Sequence, residues 1–379
     1  MVATRHDDAE ITARLGVPVE RAHTLPGHWY ADAEHHAREM ERVYRRSWVG
    51  VGLEDDVRAP GTYRTATVGN VPVVVVRDEH GTLRAFLNAC RHRGAPIAYG
   101  EGSARALQCS YHGWVYRLDG SLARAAGVGE PEGFDLACSG LFEVRVTTFA
   151  RLLLVNVDPD APDFDPGPLG AGVDPYQLGR LELGHRDRFE VAANWKVVVE
   201  NYSENYHTPF LHSQLPTAGY EYPMREVGPI VFAWDRPLQP RDASEEALAT
   251  SAPGEPGWAR VGECVAAESF NNGGYVTLFP NTMISMFGGF AAPMRLTPTG
   301  PASTIVERDY LWAPDIDAER RARDLVATQE VVAQDLEICE AIQRTYAGGI
   351  SARGVLSTEH ERGVAHVHRL LVEALATDG

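Results

Sequence analysis

The chain has 379 residues, of which 44% are hydrophobic and 23% charged, a composition typical of a globular protein large enough for two domains. Its 52 acidic residues exceed the 35 lysines and arginines, and the net charge of −17 argues against nucleic acid or an anionic membrane as the main partner. The longest apolar runs, at 71–76 and 152–155, have the length of strands, so no membrane span is predicted. The absence of a signal-peptide pattern and the small number of cysteines, five, favour the cytoplasm.

The first half of the chain predicts a helix followed by a β domain. Apolar residues at helical spacing predict a helix over 31–48, and residues 1–45 are assigned to an N-terminal helical segment that packs on the second domain. Turn sequences at 78–81 and 118–121 separate short β-rich runs. A compact antiparallel β domain over 46–157 is therefore predicted from the runs TYRTATV, VPVVVVRD, LRAFLNA, ALQC, WVYRL and RLLLVNV.

The second half, residues 158–379, predicts an α+β domain. It begins with a linker at 158–175 that is rich in proline, glycine and aspartate, and a second flexible stretch is expected around 237–257. Strands are predicted for FEVAANWKVVV, GYVTLF, TMISMFGGF and STIVERDYLW. Amphipathic helices are predicted for 318–346 and 359–374. Strands together with long helices predict the α+β class, a sheet with long helices.

The β domain contains two Cys–His pairs, CRH at 90–92 and CSYH at 109–112. Two thiolates and two imidazoles can hold one tetrahedral zinc ion, or a two-iron, two-sulfur cluster with the cysteines on one iron and the histidines on the other. Zinc modules usually pair cysteine with cysteine and histidine with histidine. The mixed pairs favour the cluster, because each loop must give one ligand to each iron. A zinc-stabilised binding protein remains the alternative.

The segments CRHRG and CSYHGW resemble the two cluster loops of Rieske oxygenase α subunits, in which the second loop most often reads CPYHGW. Ser110 replaces that proline at a position that is not a ligand. The resemblance implies an N-terminal all-β Rieske [2Fe-2S] domain, in which Cys90 and Cys109 bind the inner iron and His92 and His112 the outer one. It also implies a C-terminal catalytic domain of the helix-grip type, an antiparallel sheet with helices.

The stretch ENYSENYHTPFLH at 200–212 contains a second group of metal-binding residue types. Glu204 and His207 share a helix face, whereas His207 and His212 are about 140° out of register on a straight helix. Pro209 predicts a break that lets both imidazoles meet. The stretch resembles the Rieske oxygenase motif of an acid, two residues, histidine, four residues and histidine. That implies His207 and His212 as ligands of mononuclear Fe(II), with Glu204 as a carboxylate that links a cluster histidine of one subunit to an iron histidine of the next.

A two-histidine, one-carboxylate site with open positions for dioxygen needs a further acid. The segment QDLEICEAIQ at 334–343 resembles the helix that carries this acid in the family, which implies Asp335 as the third ligand. Asn201 is close in sequence to the ligands and is assigned as a polar residue beside the iron, with helix capping or a core hydrogen bond as the alternative. The candidate acids on the long C-terminal helix are Asp324, Glu330, Asp335, Glu337 and Glu340.

The resemblance implies the oxygenase component of a monooxygenase or dioxygenase system, a homotrimer (α3) that hydroxylates a small organic molecule with O2. The chain has no G-x-G-x-x-G motif after a strand and no further cluster motif, so NAD(P)H electrons are expected to come from a separate flavin and iron–sulfur reductase. A Rieske electron carrier without oxygenase activity is the distant alternative.

Glu204 within ENYSENYH resembles the branch that acts on quaternary ammonium compounds, the carnitine, glycine betaine and proline betaine oxygenases. In that branch, hydroxylation beside nitrogen leads to N-demethylation or C–N cleavage. A quaternary ammonium group needs aromatic walls. The segment FGGFAAPMR is more apolar than that branch suggests, which keeps an aromatic or natural-product substrate open. The candidate wall residues are Tyr202, Tyr206, Phe270, Tyr275, Phe287 and Phe290.

Overall fold

The computed structural model describes residues 9–10, 13–215, 219–240, 243–255, 258, 273–349 and 354–376. The chain divides into two compact units. Residues 44–164 form the first, called here the β unit, and the described residues before 44 and after 164 form the second, called here the α+β unit. No helix in the described part of the chain is long and apolar enough to cross a membrane.

The β unit is built on a seven-stranded antiparallel sheet with the order β1-β10-β9-β4-β3-β2-β5 and a small sheet with the order β6-β7-β8. The valines from Val73 to Val76 are fully buried, because both faces of this central strand are covered. The predicted turns at 78–81 and 118–121 are confirmed, with Gly81 and Gly120 at φ +80° and +87°. The strands are β1 (Val49–Leu53), β2 (Thr62–Val68), β3 (Val71–Arg77), β4 (Leu83–Leu87), β5 (Glu101–Ser103), β6 (Leu107–Gln108), β7 (Val115–Tyr116), β8 (Leu122–Arg124), β9 (Glu143–Phe149) and β10 (Leu152–Asn156).

The α+β unit has a seven-stranded sheet with the order β11-β19-β18-β17-β16-β14-β13 and a two-stranded sheet of β12 and β15. The strands are β11 (Glu182–Val191), β12 (Tyr220–Glu221), β13 (Met224–Val227), β14 (Ile230–Trp234), β15 (Arg236–Pro237), β16 (Gly274–Leu278), β17 (Thr282–Phe287), β18 (Phe290–Gly300) and β19 (Ser303–Trp312). The helices are α1 (Ala33–Arg42), α2 (Gly167–Gly170), α3 (Trp195–Tyr202), α4 (Thr208–Leu211), α5 (Ala243–Thr250), α6 (Ala318–Ala347) and α7 (Arg362–Ala376).

Side chains of the long helix α6 form hydrogen bonds with β11 and β19 of this sheet. Gln329 donates to a carboxylate oxygen of Asp187 on β11 at 2.8 Å, and the indole of Trp312 on β19 donates to Asp324 at 3.2 Å. Both predicted C-terminal helices are present, and the unit has the expected antiparallel sheet with helices. Side chains of α6 and of this sheet together line a cavity.

Several predicted elements are wrong in detail. The predicted strand at 189–199 ends at Val191, and Trp195–Tyr202 is helical because the Asn194 side chain caps the helix by accepting from the Lys196 amide. The run of three valines that suggested a strand is buried in this helix. The predicted helix over 31–48 is α-helical only from Ala33 to Arg42.

Two segments predicted to lack regular structure contain short helices. The stretch 237–257 contains α5, and the linker 158–175 contains α2 followed by a 3₁₀ turn. Proline and glycine lie within the linker helices, and the left-handed Gln177 ends the 3₁₀ turn at φ +49°. Composition alone therefore underestimated the local structure of both segments.

A buried ion pair fixes α1 against α3. Lys196 Nζ lies 2.6 Å from Glu39 Oε1, and the indole of Trp195 donates to the other oxygen of Glu39 at 2.9 Å. Burial alone raises the pKa of Glu39, but Lys196 and His35 outweigh it and hold that pKa at about 2. Both partners are almost fully buried, so removing either one would leave an unpaired charge in the core.

Candidate metal centres

The two Cys–His loops of the β unit have the same backbone geometry. The Cys90 amide donates to the carbonyl five residues further on at 2.8 Å, and the Gly94 amide donates back to the Cys90 carbonyl at 2.8 Å. Cys109 and Gly113 repeat both bonds at 2.9 and 3.0 Å. Both glycines have left-handed φ angles, +74° and +69°, which explains why each ligand pair is followed by glycine.

The four candidate ligands divide into a buried pair and an exposed pair. Cys90 and Cys109 are 4% and 2% exposed, and both are free thiols. His92 and His112 lie at the surface with their Nδ1 atoms 3.1 Å apart. A two-iron cluster with sulfur ligands inside and imidazole ligands outside fits this division.

Zinc fits the same loops less well. A tetrahedral zinc ion with bonds of about 2.0–2.3 Å brings all its ligand atoms within about 4 Å of one another. In the described part of the chain, one set of three or more such side chains has ligand atoms all within 4.8 Å, and it lies in the α+β unit. The geometry of the loops therefore favours the cluster over the zinc alternative.

Tyr116 on β7 is a residue of the cluster loops that sequence reasoning missed. Its hydroxyl lies 3.2 Å from Cys90 Sγ and accepts from the Arg91 amide at 2.9 Å. Burial and the neighbouring thiol raise the pKa of Tyr116, so the phenol stays protonated and can donate to sulfur. The guanidinium of Arg91 lies over the Phe142 ring at 3.9 Å and donates to the Gly140 carbonyl at 2.8 Å.

The α+β unit brings His207, His212 and Asp335 together. Asp335 Oδ1 lies 3.0 Å from His212 Nε2 and 3.5 Å from His207 Nε2. The two imidazole rings are nearly perpendicular, at 80°. Two imidazole nitrogens and one carboxylate oxygen that converge in this way are the ligand set of non-heme iron(II) sites.

The chain reaches this geometry by a route that differs from the predicted one. Helix α3 ends at Tyr202, before the first histidine, so Glu204 and His207 do not share a helix face. Pro209 does not kink a helix: it lies in the first turn of α4, where its missing N–H has no cost. His207 and His212 flank this single turn, and that is why they can converge.

Each histidine is oriented by a hydrogen bond at its other ring nitrogen. The Glu204 carboxylate contacts His207 Nδ1, and the side-chain oxygen of Gln334 lies 2.7 Å from His212 Nδ1. Such partners fix the ring and leave Nε2 for a metal. Gln334 was not singled out from the sequence, although it directly precedes Asp335.

Asp335 is positioned because α6 is bonded to α3 at four-residue intervals. Cys339 lies one turn further along and contacts the Val197 carbonyl, and the Gln343 side chain accepts from the Asn194 amide at 2.9 Å. The other acids have different surroundings. Asp324 is bonded to Trp312 and Glu340 accepts from the Ala192 amide, while Glu330 and Glu337 are exposed.

A cavity of about 490 Å³ opens beside the three metal-binding side chains. Asn201 lines it, as do three of the six candidate wall aromatics: Tyr202, Tyr275 and Phe287. Tyr206 is instead exposed and stacks on His360, and Phe290 is buried against Phe287 outside the lining. Phe270 lies outside the described residues.

Comparison with known proteins places this geometry in a family. Residues 178–377 match the ring hydroxylating alpha subunit (catalytic domain) family, and residues 47–137 match the Rieske [2Fe-2S] domain. The chain belongs to the ring-hydroxylating α-subunit family, and it is an oxidoreductase of the Rieske oxygenase class with an iron–sulfur cluster and non-heme iron as cofactors. The predicted fold class, with an N-terminal Rieske domain and a C-terminal catalytic domain, is confirmed.

The relatives in this family include oxygenases named for quaternary ammonium compounds. Choline monooxygenase of Spinacia oleracea is 27% identical over 95% of this chain and 80% of its own length. The glycine betaine monooxygenase oxygenase subunit of Chromohalobacter salexigens is 29% identical over 90% of this chain and 83% of its own length. The crystal structure of the quaternary ammonium Rieske monooxygenase CntA with L-carnitine has a TM-score of 0.76 at 23% identity, over 93% of this chain and 96% of that one.

Proposed function

We propose that the chain is the oxygenase component of a monooxygenase that hydroxylates a small quaternary ammonium compound at a carbon beside nitrogen. The observation that carries the proposal is the convergence of His207, His212 and Asp335 at a cavity large enough for such a substrate. The names of the relatives, choline and glycine betaine monooxygenases, support the substrate class.

The geometry of each unit supports the proposed ligand sets. Cys90, Cys109, His92 and His112 hold the [2Fe-2S] cluster, and the histidine–histidine–aspartate set holds iron(II). The iron, when bound, supplies dioxygen activation. Glu204 and Gln334 keep the imidazole Nε2 atoms directed at it, and Asn201 presents a polar group to the same cavity.

The reaction balances with one dioxygen, two electrons and two protons. One oxygen atom enters the substrate C–H bond to give C–OH, and the other leaves as water. The electrons come from NAD(P)H through a separate flavin and iron–sulfur reductase, since this chain carries no nucleotide-binding motif. A carbon that bears both a hydroxyl and a cationic nitrogen is unstable: the C–N bond breaks with its electron pair going to nitrogen, and the hydroxyl loses its proton. The products are an aldehyde and the demethylated or cleaved amine.

A homotrimer, in which Glu204 connects the cluster of one subunit to the iron of the next, is part of the proposal. Large apolar side chains are exposed beside both metal-binding regions: Tyr206 and Phe210 in the iron motif, Tyr111 and Phe142 near the cluster loops. Exposed apolar side chains at these two places support the proposed subunit contact. Light scattering of the purified protein should give three chains per particle, and a monomer would contradict the trimer. The cytoplasm is the proposed location, supported by the free thiols of the described cysteines.

The variant Glu204→Gln tests the proposed electron path. The amide can still hold the His207 ring, so iron and sulfide contents should stay at the wild-type level, while substrate-coupled oxidation of the reduced cluster falls by at least tenfold. Glu182→Gln removes an exposed carboxylate from β11 and serves as the matched control. Wild-type turnover in Glu204→Gln would refute the bridging role.

A second candidate function is oxidation of an aromatic or natural-product substrate. Phe287 and Met294 give one wall of the cavity an apolar character that suits a planar ring. Dioxygen uptake, with product analysis by mass spectrometry, separates the two candidates. Uptake with L-carnitine, glycine betaine or choline supports the first, and uptake with aromatic compounds alone supports the second.

A further inference from the structure

The cavity contains a buried carboxylate that the proposed reaction does not use. Asp235 follows β14 and is 4% exposed. Its Oδ2 accepts from the Gly273 amide at 2.7 Å and from the Tyr275 hydroxyl at 3.5 Å, whereas Oδ1 has no hydrogen-bond partner among the described residues. Asp235 lines the same cavity as the metal-binding side chains. Buried carboxylates are normally paired, so among the described residues Asp235 Oδ1 is a buried acceptor left open toward the cavity.

Tyrosine rings surround this carboxylate in place of a basic side chain. Tyr222 and Tyr275 line the cavity beside it, and the buried Tyr176 is close enough for the charge of Asp235 to raise its pKa further after burial has done so. No lysine, arginine or histidine of the described part lies within 4.0 Å of the Asp235 carboxylate. Gly273 makes room for the arrangement, because a Cβ there would lie 2.6 Å from the Tyr275 hydroxyl.

The same cavity also contains a buried cation without an anion. Arg308 on β19 is 5% exposed, and its Nε has no hydrogen-bond partner in the described structure. Its Nη1 lies 3.9 Å from the sulfur of Met294, and its guanidinium lies 5.9 Å from the centre of the Tyr310 ring. No carboxylate of the described residues lies within 4.0 Å of it. An unpaired buried guanidinium is as costly as an unpaired carboxylate, and it binds carboxylates in a bidentate manner.

Contacts connect the two charged groups to the metal-binding motif. Tyr275 on β16 is directly opposite Ser285 on β17, and the Ser285 hydroxyl lies 3.0 Å from the hydroxyl of Tyr202, two residues before Glu204. In the sheet order β14-β16-β17-β18-β19, Asp235 and Arg308 are four strand positions apart. Both groups line the same cavity, and they approach it from separate strands of the sheet.

We propose that Asp235 with the surrounding tyrosines binds the cationic nitrogen of the substrate and that Arg308 binds its carboxylate, so that the substrate is a zwitterion of the betaine type. The inference rests on the proposed function and specifies its substrate class. A quaternary nitrogen has no hydrogen to donate, so a carboxylate and aromatic faces are the groups that attract it. Choline has the same cation but no carboxylate, and it leaves Arg308 unpaired.

Binding to the iron- and cluster-loaded enzyme, measured by calorimetry at pH 8, tests both subsites with three probes. L-carnitine carries both charges, choline carries the cation alone, and 3,3-dimethylbutan-1-ol is the neutral isostere of choline. Wild-type protein should bind L-carnitine at least tenfold more tightly than choline. Asp235→Asn should weaken the binding of L-carnitine and of choline at least tenfold and leave the binding of the neutral alcohol unchanged. Arg308→Met should weaken the binding of L-carnitine alone.

Asp324→Asn is the matched control, because it removes a buried carboxylate that lies outside the cavity and is bonded to Trp312. Equal losses for all three probes in either variant, or wild-type binding in both, would overturn the assignment. Iron and sulfide contents show whether each variant folds and loads. Binding with the predicted pattern but no dioxygen uptake would refute the proposed oxygenation while leaving the zwitterion subsites intact.

Discussion

Replacing Asp235 by asparagine should stabilise the protein above neutral pH even though it removes a ligand-binding group. Burial raises the pKa of this carboxyl from 3.8 to about 7, with only partial opposition from the Gly273 amide and the Tyr275 hydroxyl. Between pH 3.8 and about pH 7, the Asp235 carboxyl therefore binds a proton more strongly in the folded chain than in the unfolded chain. The stability that this proton contributes is full below pH 3.8 and is lost as the pH rises to about 7.

The size of the effect follows from the same shift. A change of about three pKa units corresponds to roughly 4 kcal/mol of lost stability at pH 8, which is an upper bound, and to roughly 2 kcal/mol at pH 5.5. An asparagine side chain does not titrate, so it adds no such pH dependence to the stability of the variant. The stability difference between Asp235→Asn and wild type should therefore grow in favour of the variant by about 2 kcal/mol from pH 5.5 to 8.

Thermal unfolding of the ligand-free, metal-loaded proteins at both pH values measures this difference. The melting temperature of Asp235→Asn relative to wild type should rise by a few degrees between pH 5.5 and 8. Asp315→Asn, an exposed aspartate, is the control and should show no such trend. An equal difference at both pH values, or a trend of opposite sign, would refute the account of a carboxylate held without a partner.

Three other substitutions test single contacts. Gly363→Ala places a Cβ 2.2 Å from the Ser203 carbonyl oxygen, so α7 must move away from the end of α3. The free energy of unfolding should therefore fall by about 2 kcal/mol or more. Gly179→Ala is the control, because a Cβ there meets open space. Tyr116→Phe removes the hydroxyl beside a cluster thiolate; the reduced cluster loses a hydrogen bond worth about 1–2 kcal/mol, and a redox titration should show a potential lower by roughly 40–90 mV. Gln334→Leu removes the acceptor that orients an iron histidine, so iron affinity in metal titrations should fall about 10–100-fold with the cluster spectrum unchanged.

The cluster loops and the histidine motif could be found from the sequence because their ligands are close together in the chain. Cys90 and His92, like His207 and His212, lie on single loops or turns, and the structure brings His92 to His112 and His207 to His212. Asp335 could be selected only by resemblance. Its position depends on the docking of α6 onto α3, which no local pattern of acids encodes.

The errors have physical causes as well. The three valines after Lys196 suit a strand or a buried helix equally, and the side chain of Asn194, as the N-cap, decides for the helix. Asp235 has no motif at all. The pairing of β14 with β16 sets it beside Gly273 and Tyr275, and no basic side chain of the described residues forms an ion pair with it.

Iron and sulfide analysis of wild type and of Asp335→Ala tests the central claim most directly. The account predicts about three irons and two sulfides per wild-type chain, and about two irons and two sulfides in the variant, with an unchanged Rieske spectrum. Two irons in fully loaded wild-type protein, or retention of the third iron in Asp335→Ala, would contradict an iron site built from His207, His212 and Asp335.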